Sequence, residues 1–301
     1  MINWEQLYEN DISYRPPLEA ESILLEVAVG CTYAKCSFCL CSNPENVRYH
    51  IIPIEKIEEN ARTLSQMEEN HGKTSVFLLG CNAFALGMGK LRKIFSIIHR
   101  HMPTAERINM YARTDDVLHK TREELAELRG SGLGDLYIGV ESGSDAILTQ
   151  CRKGATTQDM LEAFRVLDDV GIPYSLSSII GLGGRDLIWE HATQTAKFYN
   201  LLNPKTIRIM TLTPWPGTPL YKKIEQGCFR ELTPGQILLE ERLFLSMLEV
   251  KGCLFIGTHI SNNVPLLGFL PEDRETMLEL LDEFIVSVDL GGMQKQIFDH
   301  M

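Results

Sequence analysis

Three cysteines, Cys31, Cys36 and Cys39, lie within nine residues directly after the apolar run Ile23-Leu-Leu-Glu-Val-Ala-Val-Gly30. Thiolates this close in sequence can bind one metal centre at little loop-closure cost. A structural zinc ion takes four ligands, commonly as two separated pairs. An ordinary ferredoxin-type [4Fe–4S] cluster also takes four cysteines. Three therefore suggest a cluster with one iron left open to a group that is not protein. Spacing alone leaves two alternatives standing: a zinc site, and a cluster closed by Cys41, which forms Cys-x-Cys with Cys39. Cys81, Cys151, Cys228 and Cys253 are scattered without paired spacing and read as buried small hydrophobes.

Such a loop needs a rigid support, and the sequence around it alternates strand and helix. Short apolar runs at 74–80, 107–112, 136–140, 174–180 and 206–211 read as strands, with the run before Cys31 as the first. Helical periodicity occupies 53–64, 90–101, 157–170 and 187–202. Thr121-Arg-Glu-Glu124 is a capping box opening one more helix. Six strands alternating with helices predict an α/β fold with a parallel sheet and right-handed crossovers. Six units are too few for a closed eightfold barrel, so a partial (β/α)6, TIM-like barrel is expected. Chemistry in such sheets sits at the carboxyl ends of the strands. The Cys31 loop, Gly80-Cys-Asn-Ala83, Glu141-Ser-Gly143 and Gly181-Leu-Gly183 all fall there. The expected organisation is a polar lead-in over 1–20, the barrel over 21–225, and a helical C-terminal extension over 226–301 with helices at 233–250 and 271–288.

Composition narrows the function classes. The chain has 301 residues, 44% hydrophobic and 23% charged, in the range of globular proteins. A formal net charge of −11 weighs against a nucleic-acid backbone as partner, which needs a basic surface. No apolar stretch approaches the roughly 20 residues that span a bilayer, so no membrane role is expected. Met1-Ile-Asn-Trp4 does not read as a signal peptide. Eight cysteines then point to reduced thiols and a cytoplasmic location.

The spacing C-x4-C-x2-C differs by one residue from the C-x3-C-x2-C of most radical S-adenosylmethionine (radical SAM) enzymes. It resembles the variant found in members related to the anaerobic coproporphyrinogen oxidases and the Elongator catalytic subunit. Phe38, before the last cysteine, supports the resemblance, as does Leu136-Tyr-Ile-Gly-Val-Glu-Ser-Gly143, similar to the strand-four motif of that branch. Arg208-Ile-Met-Thr-Leu-Thr-Pro-Trp-Pro-Gly217 is similar to its sixth-strand motif.

The resemblance implies that Cys31, Cys36 and Cys39 hold three irons of a [4Fe–4S] cluster. The amino and carboxylate groups of SAM chelate the fourth. Reductive cleavage then gives methionine and a 5′-deoxyadenosyl radical, which takes hydrogen from an organic substrate. It also implies an electron donor such as flavodoxin or ferredoxin, and a small-molecule or peptide substrate. Carried over by position, Gly80, Cys81 and Asn82 lie where the family binds the SAM amino group, although Gly-Cys-Asn replaces the usual Gly-Gly-Glu. Glu141 is the SAM-contacting carboxylate, with Ser142 beside it. Ser177, at the end of strand five, meets the ribose, and Met210 and Leu212 flank the adenine together with Phe38. Arg165 is a further candidate for the SAM carboxylate. The polar island Gly257-Thr-His-Ile-Ser-Asn-Asn263, with His259, and the strand-three residues Tyr111, Arg113 and Asp115 are placed to reach substrate. The rival readings are a non-radical SAM-cleaving or Lewis-acid iron–sulfur enzyme, and a protein that only binds or carries a cluster.

Overall fold

In the computed structural model, described over residues 7–9, 15–43 and 48–287, alternation of strand and helix organises the chain. Residues 1–6 and 10–14 of the expected lead-in, and Val288 onward at the C-terminus, lie outside the described residues. The first elements are β1 (Ile23–Glu26), β2 (Ala28–Val29), β3 (His50–Ile51), α1 (Ile54–Ser65), β4 (Ser75–Leu79), α2 (Met88–His101) and β5 (Arg107–Ala112). Then come α3 (Thr114–Leu118), α4 (Arg122–Gly130), β6 (Leu133–Glu141), α5 (Asp145–Gln150), α6 (Thr157–Val170) and β7 (Tyr174–Ile180). The last are α7 (Ile188–Tyr199), β8 (Thr206–Thr211), α8 (Pro219–Glu225), α9 (Pro234–Ser246), β9 (Cys253–Ile256), β10 (Leu267–Leu270) and α10 (Arg274–Ser287).

The chain divides into two compact units. One comprises Met1–Ala34, Asn43–Ile138 and Glu162–Tyr174; the other comprises Lys35–Ser42, Gly139–Leu161 and Ser175–Met301. In the first unit the strands run β1-β4-β5-β6, all parallel, with Ile23 opposite Val76, Ser75 opposite Arg107 and Ile108 opposite Leu133. Strands buried on both faces read as continuous apolar runs rather than alternations, as in Val76-Phe-Leu-Leu79, where every side chain is buried. α2 buries Leu91, Ile94, Phe95 and Ile98, the i, i+3, i+4, i+7 stripe of a helix that covers a sheet. The capping box of α4 forms as expected, Thr121 and Glu124 each satisfying the other's backbone N–H.

In the second unit β7 and β8 pair in parallel register from Ser175 opposite Thr206 to Ile180 opposite Thr211. Ile207 and Ile209 are wholly buried, whereas Arg208 and Met210 on the other face are half-buried. On β7, Ser178 bonds the Tyr199 hydroxyl of α7 at 2.6 Å, so its face is the helix-covered one. Ser177 and Ile179, in register with Arg208 and Met210, point to the opposite face.

The C-terminal extension holds the two expected helices, α9 and α10, but also two strands that periodicity did not reveal. β9 pairs parallel to β8, with Ile256 opposite Arg208, and β10 turns back antiparallel on β9. Four-residue apolar runs carry too little period to separate strand from helix, and Gly268 and Pro271 further obscure β10. Sandwiched by α7 and α10, α9 is buried on nearly all sides, including Glu240 and Glu241.

Candidate active site

The first unit carries Cys31, half-buried just after β2. The neighbouring Thr32 hydroxyl accepts from Asn82 Nδ2 at 2.9 Å, and the same nitrogen donates to Asp116 Oδ2 at 2.6 Å. Burial raises the Asp116 carboxyl above its usual range, against the pull of the Asn82 bond. Asn82 is 1% exposed, and its Oδ1 is buried with no hydrogen-bond partner. Gly80 precedes it at φ 144°, where a Cβ would stand 3.0 Å from the Ala28 carbonyl oxygen. Cys81 between them is half-buried. The Arg113 guanidinium lies over the Tyr33 ring, 4.1 Å from its centroid, and Arg113 Nε donates to Asp115. A cation on this ring fixes the middle of the cysteine loop, beside Ala34 in the left-handed region at φ 46°.

Cys36, Phe38 and Cys39 belong to the second unit, and their segment is held by its backbone. The Ser37 N–H donates to the Cys151 carbonyl, and the Ser37 carbonyl accepts from the Leu220 N–H, both at 2.8 Å. Phe38 packs with Ile147, Cys151, Leu182, Ile179, Leu187 and Leu212. Phe38 and Leu212, which the resemblance implies flank the adenine, both pack against the Ile147, Cys151 and Leu182 cluster. Met210 stands one register position from that patch, opposite Ile179. Ser177 differs from expectation: β7 continues three residues past it to Ile180, so it lies in mid-strand rather than at the strand's end, in register with Arg208.

Glu141 closes β6 in the left-handed region, φ 67°, and is 7% exposed. Such a backbone costs a non-glycine residue about 1–2 kcal/mol and persists only where the surroundings hold it. Its Oε1 accepts from Lys153 Nζ at 3.0 Å, while Oε2 is buried without a partner. A Cβ on Gly139 would fall 2.1 Å from Glu141 Oε1, so the bare glycine makes room for the pair. Ser142 is fully buried with its hydroxyl accepting from the Ser144 N–H, which shapes the turn into α5. Behind Glu141, His191 Nε2 meets its carbonyl oxygen at 3.1 Å.

The remaining candidates spread out. His259 is half-buried in a loop pinned to β8 by Asn262, which bonds the Thr211 N–H and the Ile209 carbonyl. Burial and then the Arg208 charge lower the His259 pKa. Arg165 sits on the exposed face of α6, where a helix facing water places its charges. Cys151 and Cys253 are buried as expected, but Cys81 is half-buried and Cys228 exposed. Lys153 and His191 escaped sequence reasoning. Lys153 had no local signal, whereas His191 lies on the apolar stripe of α7 with Ile188, Ala192 and Thr195. A titratable side chain on such a stripe is the signal that was available.

The donor set, three thiolates within one loop, has the chemistry of an iron–sulfur cluster, whose thiolates each bind a separate iron. Buried acceptors without donors, as at Glu141 Oε2 and Asn82 Oδ1, cost about 1–3 kcal/mol each unless a ligand's N–H or O–H meets them.

Comparison with known proteins agrees. The family described as the Radical SAM superfamily matches residues 25–199. An uncharacterised protein of Methanocaldococcus jannaschii is 26% identical over 226 residues, 72% of this chain and 68% of its own. An uncharacterised methyltransferase of Pyrococcus horikoshii is 26% identical over 194 residues, 64% of this chain and 40% of its own. Among solved structures, methylornithine synthase superposes with a TM-score of 0.53 at 17% identity, over 87% of this chain and 81% of that one. Elp3 of Methanocaldococcus infernus gives 0.56 at 14% identity, over 89% and 63%. These likenesses show the fold, the α/β partial barrel expected from the alternation.

Proposed function

The chain belongs to the radical SAM superfamily, and from that premise we propose that Cys31, Cys36 and Cys39 hold three irons of its [4Fe–4S] cluster. It is a radical SAM enzyme, with that cluster and S-adenosylmethionine as its cofactors. Held by these cysteines and reduced, the cluster would supply the electron for reductive cleavage of SAM and so the radical chemistry that takes hydrogen from substrate. The observation that carries the assignment is that the family match, residues 25–199, contains all three cysteines and Glu141.

The chain's own residues have separable tasks in this reading. Asn82 Oδ1 and the carbonyl of Gly80 or Cys81 accept from the SAM ammonium. Glu141 Oε2 accepts a SAM N–H or O–H, with Lys153 holding the carboxylate through Oε1. Phe38, Met210 and Leu212 present the apolar surface for the adenine, and Ser177 the hydroxyl for the ribose. Ser142 supports Glu141 by shaping its turn. Electrons come from a small reductant protein such as flavodoxin or ferredoxin, and the substrate is a small molecule or peptide. Among the described residues no helix is long and apolar enough to cross a membrane.

The test is anaerobic reconstitution with iron and sulfide, reduction with dithionite, addition of SAM, and product analysis by mass spectrometry. The expected product is 5′-deoxyadenosine. A different SAM fragment, or no SAM turnover by a fully loaded protein, would overturn the radical reading.

A further inference from the structure

We propose that His191 and Glu240 are positioning residues for Glu141: an imidazolium and its carboxylate that lock the turn after β6 and so aim the Glu141 side chain. The inference rests on the reading of Glu141 as a SAM contact. Glu240 on α9 is wholly buried. Its Oε1 accepts the Gly181 N–H at 2.8 Å and lies 2.8 Å from His191 Nδ1. On its other side the ring reaches the Glu141 carbonyl oxygen through Nε2.

Proton bookkeeping assigns the ring's state. A carbonyl oxygen only accepts, so Nε2 carries a hydrogen. Glu240 Oε1 already accepts one amide and, as a carboxylate oxygen, accepts a second N–H from Nδ1. In this proposal the Glu240 carboxylate accepts Nδ1–H as well, so both ring nitrogens are protonated and the ring is a buried cation paired with a buried anion. Burial by itself disfavours that charge, but the Glu240 charge and hydrogen bond outweigh it, raising the His191 pKa. Removing one partner of such a pair strands the other charge in a dry interior.

The arrangement joins two turns through one carboxylate. Glu141 at φ 67° and Gly181 at φ 87° end β6 and β7, both in left-handed conformations. Glycine adopts that shape freely; a glutamate has to be held in it. The Nε2–H bond to the Glu141 carbonyl is the hold; a ring that loses one proton keeps the other on Nδ1, facing the Glu240 carboxylate, and drops this bond. The other charged groups around this knot are Lys153, paired with Glu141 Oε1; Glu190 on α7, bonded to Ser144; and Glu241 beside Glu240 on α9.

The variant that isolates the idea is Glu240→Gln. Its amide oxygen still accepts from Gly181 and from a neutral Nδ1–H ring, but that ring has no proton on Nε2 for Glu141. In the protein labelled with 15N-histidine, both His191 nitrogens should read as protonated at pH 7, and Nε2 should lose its proton in Glu240→Gln. In the cluster-loaded protein, SAM affinity measured by calorimetry should fall about tenfold, the scale of one lost charge-assisted hydrogen bond. That loss is expected in Glu240→Gln and His191→Gln alike, at unchanged iron content and circular dichroism. Wild-type affinity should also decline as pH rises through the ring's pKa, a slope missing in Glu240→Gln. A neutral His191 ring at pH 7 overturns the inference. So does wild-type SAM affinity in Glu240→Gln when Glu141→Gln binds weakly. Should His191→Gln fail to fold, Glu240→Gln and the ring titration decide the matter. If Glu141→Gln itself binds SAM normally, it is the reading of Glu141 that fails.

Discussion

At the scale of single residues, the left-handed non-glycine positions Ala34, Glu141 and Arg152 stand beside the cysteine loop or the Glu141–Lys153 pair. Strain of this kind concentrates where geometry serves chemistry. The three-cysteine reading makes a paired prediction. Cys36→Ala should keep the circular dichroism of the wild type while losing most of its iron and its visible cluster absorbance. Cys41→Ala, buried and adjacent to the loop, should keep its iron. Equal loss in both variants would mean a fully thiolate-capped centre. A second prediction concerns Lys153, whose removal leaves the Glu141 carboxylate buried and unpaired. Lys153→Met should destabilise the protein by about 3 kcal/mol, the usual cost of breaking a buried pair. Adding Glu141→Gln should return part of that loss, read from urea denaturation midpoints in a double-mutant cycle.

Elements approach one another closely where the candidate residues are held. A Cβ on Gly143 would fall 2.4 Å from the Gln194 carbonyl oxygen and 2.7 Å from the Thr195 Cα, both backbone atoms of α7. Thr195 also bonds the Gly143 N–H at 2.9 Å, so turn and helix are stapled at this point. Gly143→Ala has no flexible side chain to push aside. It should lower stability by about 2 kcal/mol, the typical cost of overpacking, and weaken SAM binding through the displaced Glu141 turn. Thermal denaturation together with SAM titration checks both, and an unchanged melting temperature would refute the close approach. Short elements explain what periodicity missed: β9 is a strand because it has β8 to pair with, and β10 because it has β9, not because four residues prefer that conformation.

For the whole molecule, burial of acids links stability to pH. Glu241 on α9 is pushed up to about 8, first by burial and then by the Glu240 charge beside it. Its folded pKa exceeds the ordinary carboxylate value near 4.5, so the folded state holds the proton more tightly than the unfolded chain. Stability from this group is complete at low pH and is lost as pH rises from about 4.5 to about 8. Glu241→Gln, which keeps the neutral shape, should flatten that part of the stability curve. Urea midpoints at a series of pH values measure it, and an unaltered slope would rule out the buried proton.

Local sequence sufficed wherever the physics is local. The spacing of Cys31, Cys36 and Cys39, the alternating apolar runs and the Thr121 box depend on neighbours a few residues apart, and they were legible without coordinates. So was the place of Glu141-Ser-Gly143 at the carboxyl end of a strand, whereas the role given to Glu141 came from the family resemblance. What only the tertiary structure decided are partners distant in the chain. Lys153 finds Glu141 across 12 residues, and His191 reaches Glu141 across 50 and Glu240 across 49. No pattern in the intervening residues encodes such pairings. They form because the fold removes these groups from water together, and a buried charge then accepts whichever complement the packing supplies.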